Sequence, residues 1–340
     1  MTEAGLYCPA GDFHIDPWRP VTRAVLTHAH ADHARAGSSS YLVSREGEPV
    51  FRTRLGADAN ISAVDYGETV DLGGVRLSLH PAGHILGSAQ VRVEHRGYVA
   101  VVSGDYKIEP DPTCSAFEAI RCHLFVTEST FGLPVYRWPA QEWIRSQINQ
   151  WWRTNQSEGR ASLLLAYALG KSQRLLSGLD PDAGSIFLHG AVARITRDYQ
   201  ARGIAFPPWR SVSEAESNTD WSRAIILAPP SAQGSTWLRR FGPLAMGLAS
   251  GWMRIRGTRR RKAIDRGFVL SDHADWPGLL STIDATGAEV VWVTHGYISV
   301  LVRYLQERGL EAHGLQTRFE GETREGGDSG EEITLEEAVP

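Results

Sequence analysis

Between residues 28 and 33 the chain reads His28-Ala29-His30-Ala31-Asp32-His33, three imidazoles and a carboxylate at the end of the apolar run Ala24-Val25-Leu26-Thr27. Nitrogen and oxygen donors without a thiolate suit divalent zinc, manganese or iron. If the segment continues strand-like out of Val25, period-2 alternation sends His28, His30 and Asp32 to one side while His33 turns away. That pattern favours two adjacent ions, with His28 and His30 on one and Asp32 and His33 on the other. Neither a solvated loop nor a core asks for four ionisable groups packed this tightly.

More donors of the same kind stand where strands are expected to end. His84 follows Pro81-Ala82-Gly83, Asp105 follows Ser103-Gly104, and Glu128 lies in Thr127-Glu128-Ser129-Thr130. His273 lies in Ser271-Asp272-His273-Ala274-Asp275, and His295 follows Val290-Val291-Trp292-Val293-Thr294. Alone, each is an ordinary loop residue; together with the hexapeptide they are what a two-ion site still lacks. The glycines beside His84 and Asp105 read as room for close backbone approach to an ion. A cationic run, Arg254, Arg256, Arg259, Arg260, Arg261 and Lys262, reads either as a solvated loop or as a grip on successive phosphates. Trp138, Trp143, Trp151, Trp152 and Trp252 read mainly as core, with stacking on bases the alternative. Gly170-Lys171-Ser172 is not a phosphate-binding P-loop, because Leu165 stands where that pattern needs glycine.

Such scattered donors meet only if a sheet framework carries them. Val75 to His80, Ala89 to Glu94 and Tyr98 to Val102, punctuated by glycines, predict a half-buried antiparallel meander. Leu124 to Gly132 begins as a buried strand. From about Pro134, strand and helix candidates alternate: strands at 162–167, 185–189 and 223–228, helices opening at Gly170 and near Ala193. That alternation predicts a small, mostly parallel α/β unit. A strand at Gly267 to Leu270, a helix over 276–286, the strand 290–294, a helix over 300–308 and a last strand near Leu310 follow. Beyond about Glu320 a tail rich in Glu and Gly reads as disordered. The 340 residues, 42% of them hydrophobic, are ample for a core, and a net charge of −4 confines any nucleic-acid site to a local patch. Cys8, Cys114 and Cys122 read as reduced thiols, and with neither a leader-like start nor a spanning run the expectation is a soluble cytoplasmic protein.

His28-x-His30-x-Asp32-His33 resembles the signature of the metallo-β-lactamase superfamily, and Thr127 to Thr130, Ala168 to Arg174, Ala249 to Met253 and Ser271 to Asp275 resemble its β-CASP nucleases. Leu6 to Asp12 and Ser250 to Met253 look most like the bacterial DNA ligase-associated, DNA damage response exonucleases. The resemblance implies an α/β fold, an αββα sandwich (1–133 and 267–320) interrupted by a small β-CASP insert (134–266), with the tail at 321–340. It implies that His28, His30 and His84 hold one divalent ion, that Asp32, His33 and His295 hold the other, and that Asp105 bridges them. Zinc is the first expectation and manganese the second. Two such cations bring a shared water toward ionisation at neutral pH, which suits phosphodiester hydrolysis. His273 is then the general acid, Glu128 the carboxylate that orients it, and Asp16 an acidic residue behind the first imidazole, or simply a turn residue before Pro17. The implied activity is a repair DNA exonuclease, 5′-to-3′ on single-stranded ends, associated functionally with a DNA ligase and a helicase. An RNA-processing nuclease on the same scaffold is the alternative; a small-molecule thioesterase or lactamase-like hydrolase and a non-catalytic nucleic-acid scaffold stand behind it.

Overall fold

The structure, a computed structural model, describes residues 1–255 and 264–317. Arg256, Arg259, Arg260, Arg261 and Lys262 of the cationic run, and the expected tail, lie outside the described residues.

Alternating apolar residues give the meander one buried face, and it forms the antiparallel arm of a seven-stranded sheet through Thr69–Leu72, Val75–Pro81, Ala89–His95 and Tyr98–Val102. Leu124–Ser129, Val290–Gly296 and Glu311–Gly314 extend that sheet in parallel. A five-stranded sheet, Leu6–Cys8 through Ile61–Val64, lies across it. Phe13, Ile15, Val25, Leu42 and Val64 from the smaller sheet share one core with Val75, Leu77, Leu79, Ala89 and Val91 from the larger. The helices Trp276–Thr286 and Ile298–Glu307 cover the larger sheet with Leu279, Ile283, Leu301 and Leu305. On the smaller sheet lie the helices Glu48–Leu55 and Gly190–Ala201, through Phe51, Ile195 and Tyr199. The layers therefore run helix, sheet, sheet, helix.

The region from 134 onward builds a third sheet of six strands whose described pairings are all parallel. Its central strand Ala161–Leu165 is buried on both faces: Leu164 meets Trp151, Trp152 and Leu175, while Leu163 and Leu165 meet Phe187, Ile226 and Met253. Double-sided burial explains why this strand reads as an unbroken apolar run rather than an alternation. One element departs from expectation. The strand Arg266–Phe268, which the sequence suggested would reopen the sandwich, pairs with Leu244–Ala249 in the third sheet. Phe268 fixes it there, edge-on to Trp151 with ring centroids 5.6 Å apart. The helix Gln141–Ser157 was also not expected, yet its buried Gln141, Ile144, Ile148, Trp151, Trp152 and Asn155 have the three-to-four-residue spacing of a helical stripe. Among the described residues no helix is long and apolar enough to cross a membrane.

Candidate metal centre

The donors converge because strands of both sheets stop at one edge. The strand Arg23–Val25 delivers His28, His30 and His33; Val75–Pro81 delivers the His84 loop; Tyr98–Val102 delivers Asp105. Leu124–Ser129 and Val290–Gly296 themselves contain Glu128 and His295. Between the last two strands the register shifts after Glu128, so that Ser129 faces Gly296. His295 takes a left-handed φ of 32° at this bulge, a conformation that re-aims its ring and is rare outside glycine.

Among the described residues four groups of ligand atoms lie within 4.8 Å of one another: His28, His30, His84 and Asp105 in a first, His33, Asp105 and His295 in a second, and two that include His273, one with His84 and Asp272 and one with Asp105 and Glu128. Tetrahedral ligands about 2.1 Å from a zinc ion stand roughly 3.4 Å apart. In the first group His84 Nε2 is 3.1 Å from His30 Nδ1, and Asp105 Oδ2 is 3.5 Å from His28 Nε2 and 3.9 Å from His84 Nε2. In the second, Asp105 Oδ1 is 3.4 Å from His295 Nε2 and Oδ2 is 3.8 Å from His33 Nε2. Asp32 stands at the rim, 3.7 Å from His33 Nε2 and with a fifth of its side chain exposed (20%). Among the described residues His28 Nε2, in the first group, and Asp105 Oδ1, facing the second, are buried without a hydrogen-bond partner, which a fold tolerates rarely and which a cation in each group would explain. The residues present fit a pair of divalent ions.

Opposite nitrogens of these rings are anchored, which fixes each ring's orientation. His84 Nδ1 lies 2.8 Å from the Asp272 carbonyl, His30 Nε2 3.2 Å from the Leu169 carbonyl, and His33 Nδ1 2.7 Å from Asp16 Oδ2. Asp16 also accepts from the Thr27 amide at 2.8 Å and the Thr27 hydroxyl at 2.5 Å, and that hydroxyl is 3.0 Å from His28 Nδ1. Asp16 is thus a junction behind His28 and His33 as well as a turn residue. The glycines serve differently from the sequence expectation. A Cβ at Gly104 would meet Thr27 at 2.6 Å and one at Gly83 the Lys107 carbonyl at 2.2 Å, so loop-on-loop packing requires them, along with their positive φ of 57° and 71°.

Burial, reinforced by neighbouring imidazoles, holds His28 and His84 well below the ordinary imidazole range. Burial likewise lowers His30 and His295 to about 4. His33 goes the other way: desolvation opposes its charge, but Asp105 and the Asp16 hydrogen bond raise it to about 9. Desolvation raises Asp105 to about 7, partly offset by His33.

Beside the first two groups, His273 Nδ1 is 2.9 Å from Glu128 Oε2, and the Tyr106 amide donates to Glu128 Oε1 at 2.8 Å. Burial disfavours the Glu128 charge, yet His273 more than compensates and keeps its carboxyl below the usual value. Trp138 Nε1 donates to the His273 carbonyl at 2.9 Å, giving that indole a positioning role. Trp151 and Trp152 are core, whereas Trp143 is exposed. Arg254 is exposed and donates to the Val135 carbonyl at 3.3 Å.

Sequence reasoning missed the grip of the third-sheet unit on this edge. The helix Lys171–Leu176 is buried throughout. Lys171 Nζ pairs with Asp272 Oδ1 at 3.2 Å, and Arg174 donates to the carbonyls of Gly83 at 3.3 Å and His84 at 3.2 Å while lying 3.4 Å from Asp111. Two cations, Lys171 and Arg174, close behind the buried apolar strand Ala161–Leu165 were the available signal.

No family model matches the chain. Across 313 residues it is 32% identical to a probable DNA ligase of Opitutus terrae, covering 92% of this chain and 30% of that protein. It is 30% identical over 166 residues to the endoribonuclease YSH1 of Saccharomyces cerevisiae, covering 47% of this chain and 21% of the relative. One relative is named for joining DNA, the other for cutting RNA. The chain spans less than a third of the length of either. A crystal structure of a protein of unknown function from Enterococcus faecalis V583 superposes with a TM-score of 0.59 at 12% identity, over 87% of this chain and 80% of that one. That likeness supports the overall arrangement and nothing about chemistry.

Proposed function

We propose that the chain is a metal-dependent nuclease of the metallo-β-lactamase superfamily, β-CASP branch, with the β-CASP insert between the two parts of the sandwich. Its favoured reading is a cytoplasmic DNA exonuclease of repair, acting 5′-to-3′ on single-stranded ends. One observation carries the nuclease reading: Asp105 faces both groups of imidazoles while the His273 and Glu128 pair stands beside it, 3.9 Å from Asp105 Oδ2 to His273 Nδ1. Hydrolysis of a phosphodiester needs both charge neutralisation and a proton for a strongly basic leaving oxygen.

In this reading His28, His30 and His84 would hold one cation and Asp32, His33 and His295 the other, with Asp105 contributing to both. Zinc suits the donor set first and manganese second. When bound, the pair supplies Lewis acidity and a water acidified toward neutrality. The chain's own residues do the rest. Neutral His28, His30 and His84 present lone pairs without first losing a proton. Glu128 holds His273 through Nδ1, so Nε2 is the atom that delivers a proton to the departing oxygen. The Tyr106 amide holds the Glu128 carboxylate, and the Trp138 indole holds the main chain at His273.

The match to the probable DNA ligase of Opitutus terrae covers nearly the whole chain and supports DNA as substrate; functional association with a DNA ligase and a helicase belongs to the same proposal. Similarity to the yeast endoribonuclease supports the second reading, an RNA-processing nuclease. The test is cleavage of matched end-labelled single-stranded DNA and RNA with zinc or manganese. Products shortening from the 5′ end of DNA are expected; RNA cut in preference favours the second reading, and no cleavage of either sinks the proposal.

A further inference from the structure

The nuclease reading gives no ion to one buried group of donors, His84, Asp272 and His273, whose ligand atoms lie within 4.8 Å of one another. Two imidazoles and a carboxylate suit a divalent cation as well as the neighbouring groups do. Two of the three already serve elsewhere. His84 Nε2 lies 3.1 Å from His30 Nδ1 in the first group, and His273 Nδ1 lies 2.9 Å from Glu128 Oε2. A divalent ion on Asp272 would therefore compete for His84 with the first group and take from His273 the nitrogen that delivers a proton. A cation of another kind stands there instead. Lys171 Nζ lies 3.2 Å from Asp272 Oδ1, with the two side chains 0% and 1% exposed. Lys171 comes from the third-sheet unit, and the residues before it pack against the same edge. Gly170 has a φ of 88°, and a Cβ there would meet Ile85 Cγ2 at 2.2 Å and Asp272 Oδ2 at 3.3 Å. The Leu169 carbonyl lies 3.2 Å from His30 Nε2. One oxygen of Asp272 thus faces the ammonium and the other lies against the Gly170 main chain.

A buried carboxylate needs a positive partner. An ammonium supplies that charge as a donor only, with no coordination positions to draw imidazoles in. We propose that the Lys171 ammonium fills the cation place of this third group, keeping a divalent ion off Asp272 and so leaving His84 to the first group and His273 to proton delivery. The inference rests on the nuclease reading and adds to it a residue that sets how many ions the centre takes. Lys171 acts through Asp272 and is a positioning residue. An ion pair that merely ties the third-sheet unit to the sandwich would share this geometry but not the response to metal.

Zinc bound per chain is counted by elemental analysis, after loose metal is removed, on the wild type, Lys171→Arg, Lys171→Met and the double variant Lys171→Met with Asp272→Asn. The wild type and Lys171→Arg take two ions, Lys171→Met takes a third, and the double variant, which has no carboxylate to recruit it, takes two. Cleavage shows where the third ion sits. In Lys171→Met, zinc beyond two equivalents slows cutting relative to the wild type at the same zinc by up to about 10² to 10⁴-fold, the contribution of a positioned proton donor. The slowing sets in at the zinc level that fills the third place. Should Lys171→Met not fold by itself, zinc added during refolding restores its melting transition, because the ion replaces the missing charge. Two ions in Lys171→Met, with cutting at excess zinc in step with the wild type, overturn the inference alone and leave the pair structural. Failure to fold at any zinc level overturns it as well, and so does a third ion in the wild type or in the double variant. A wild-type chain that holds no metal overturns it together with the nuclease reading.

Discussion

Both oxygens of Asp105 face imidazoles, Oδ2 toward His28 and Oδ1 toward His295, and no other carboxylate among the described residues lies in both groups. Asp105→Asn keeps the shape and removes the charge that two cations would share. Metal content measured on the purified variant is expected to fall, and cleavage to fall with it; a full metal complement with near wild-type cleavage would take Asp105 out of its shared position. His273 differs in that its near partner is Glu128 at 2.9 Å. His273→Ala should keep its metals yet cut about 10² to 10⁴-fold more slowly, the usual contribution of a positioned acid. The loss should shrink on a substrate with an acidic phenol as leaving group, and an equal loss on both substrates would remove His273 as the proton donor.

At the scale of elements, the helix Lys171–Leu176 ties the third-sheet unit to the His84 loop. Arg174 is fully buried against Asp111, which Arg145 also pairs at 3.1 Å, so removing the Arg174 charge leaves Asp111 one cationic partner beside the Thr113 amide and hydroxyl. Arg174→Met is expected to cost about 3 kcal/mol in denaturant unfolding, the low end for breaking a buried pair. It should also weaken metal binding about 10 to 100-fold, as loss of an outer-shell contact does, with Arg174→Lys recovering part of both. Lost stability with unchanged metal affinity would mean that Arg174 is structural alone. This grip was not legible in the sequence, whereas the His28 to His33 cluster was, because the latter is local and carries its chemistry in side chains. The Leu169 carbonyl that meets His30 has no side-chain signature, and 139 residues separate the two. Lys171 was hidden by likeness to a phosphate loop. The meander and the helix 276–286 were readable from spacing alone, but Arg266–Phe268 was not: three residues carry no period, and only packing against Trp151 decides which sheet they join.

For the molecule as a whole, the cluster links stability, protons and metal. His30 and His295 titrate near 4 when folded and near 6.5 when unfolded, so below pH 6.5 the unfolded chain takes up more protons. Their contribution is complete above about pH 6.5 and disappears as pH falls toward 4. His33, raised to about 9, has the opposite sign: its contribution is complete below about 6.5 and is lost as pH rises through 9. The metal-free chain is therefore caught between two slopes. Loading with metal changes the second, because His33 must give up its proton to coordinate, and Asp105, near 7 in the metal-free fold, is partly protonated at neutrality. Metal uptake at pH 7 should release at least about one proton per chain. Calorimetric titration with zinc in buffers of different ionisation enthalpy reads that number directly. A chelator should lower the melting temperature most where this release makes loading tightest, at mildly alkaline pH, by the mass-action term that metal adds to the folded state. Uptake without proton release would place the incoming ion away from His33, and the second half of the centre with it.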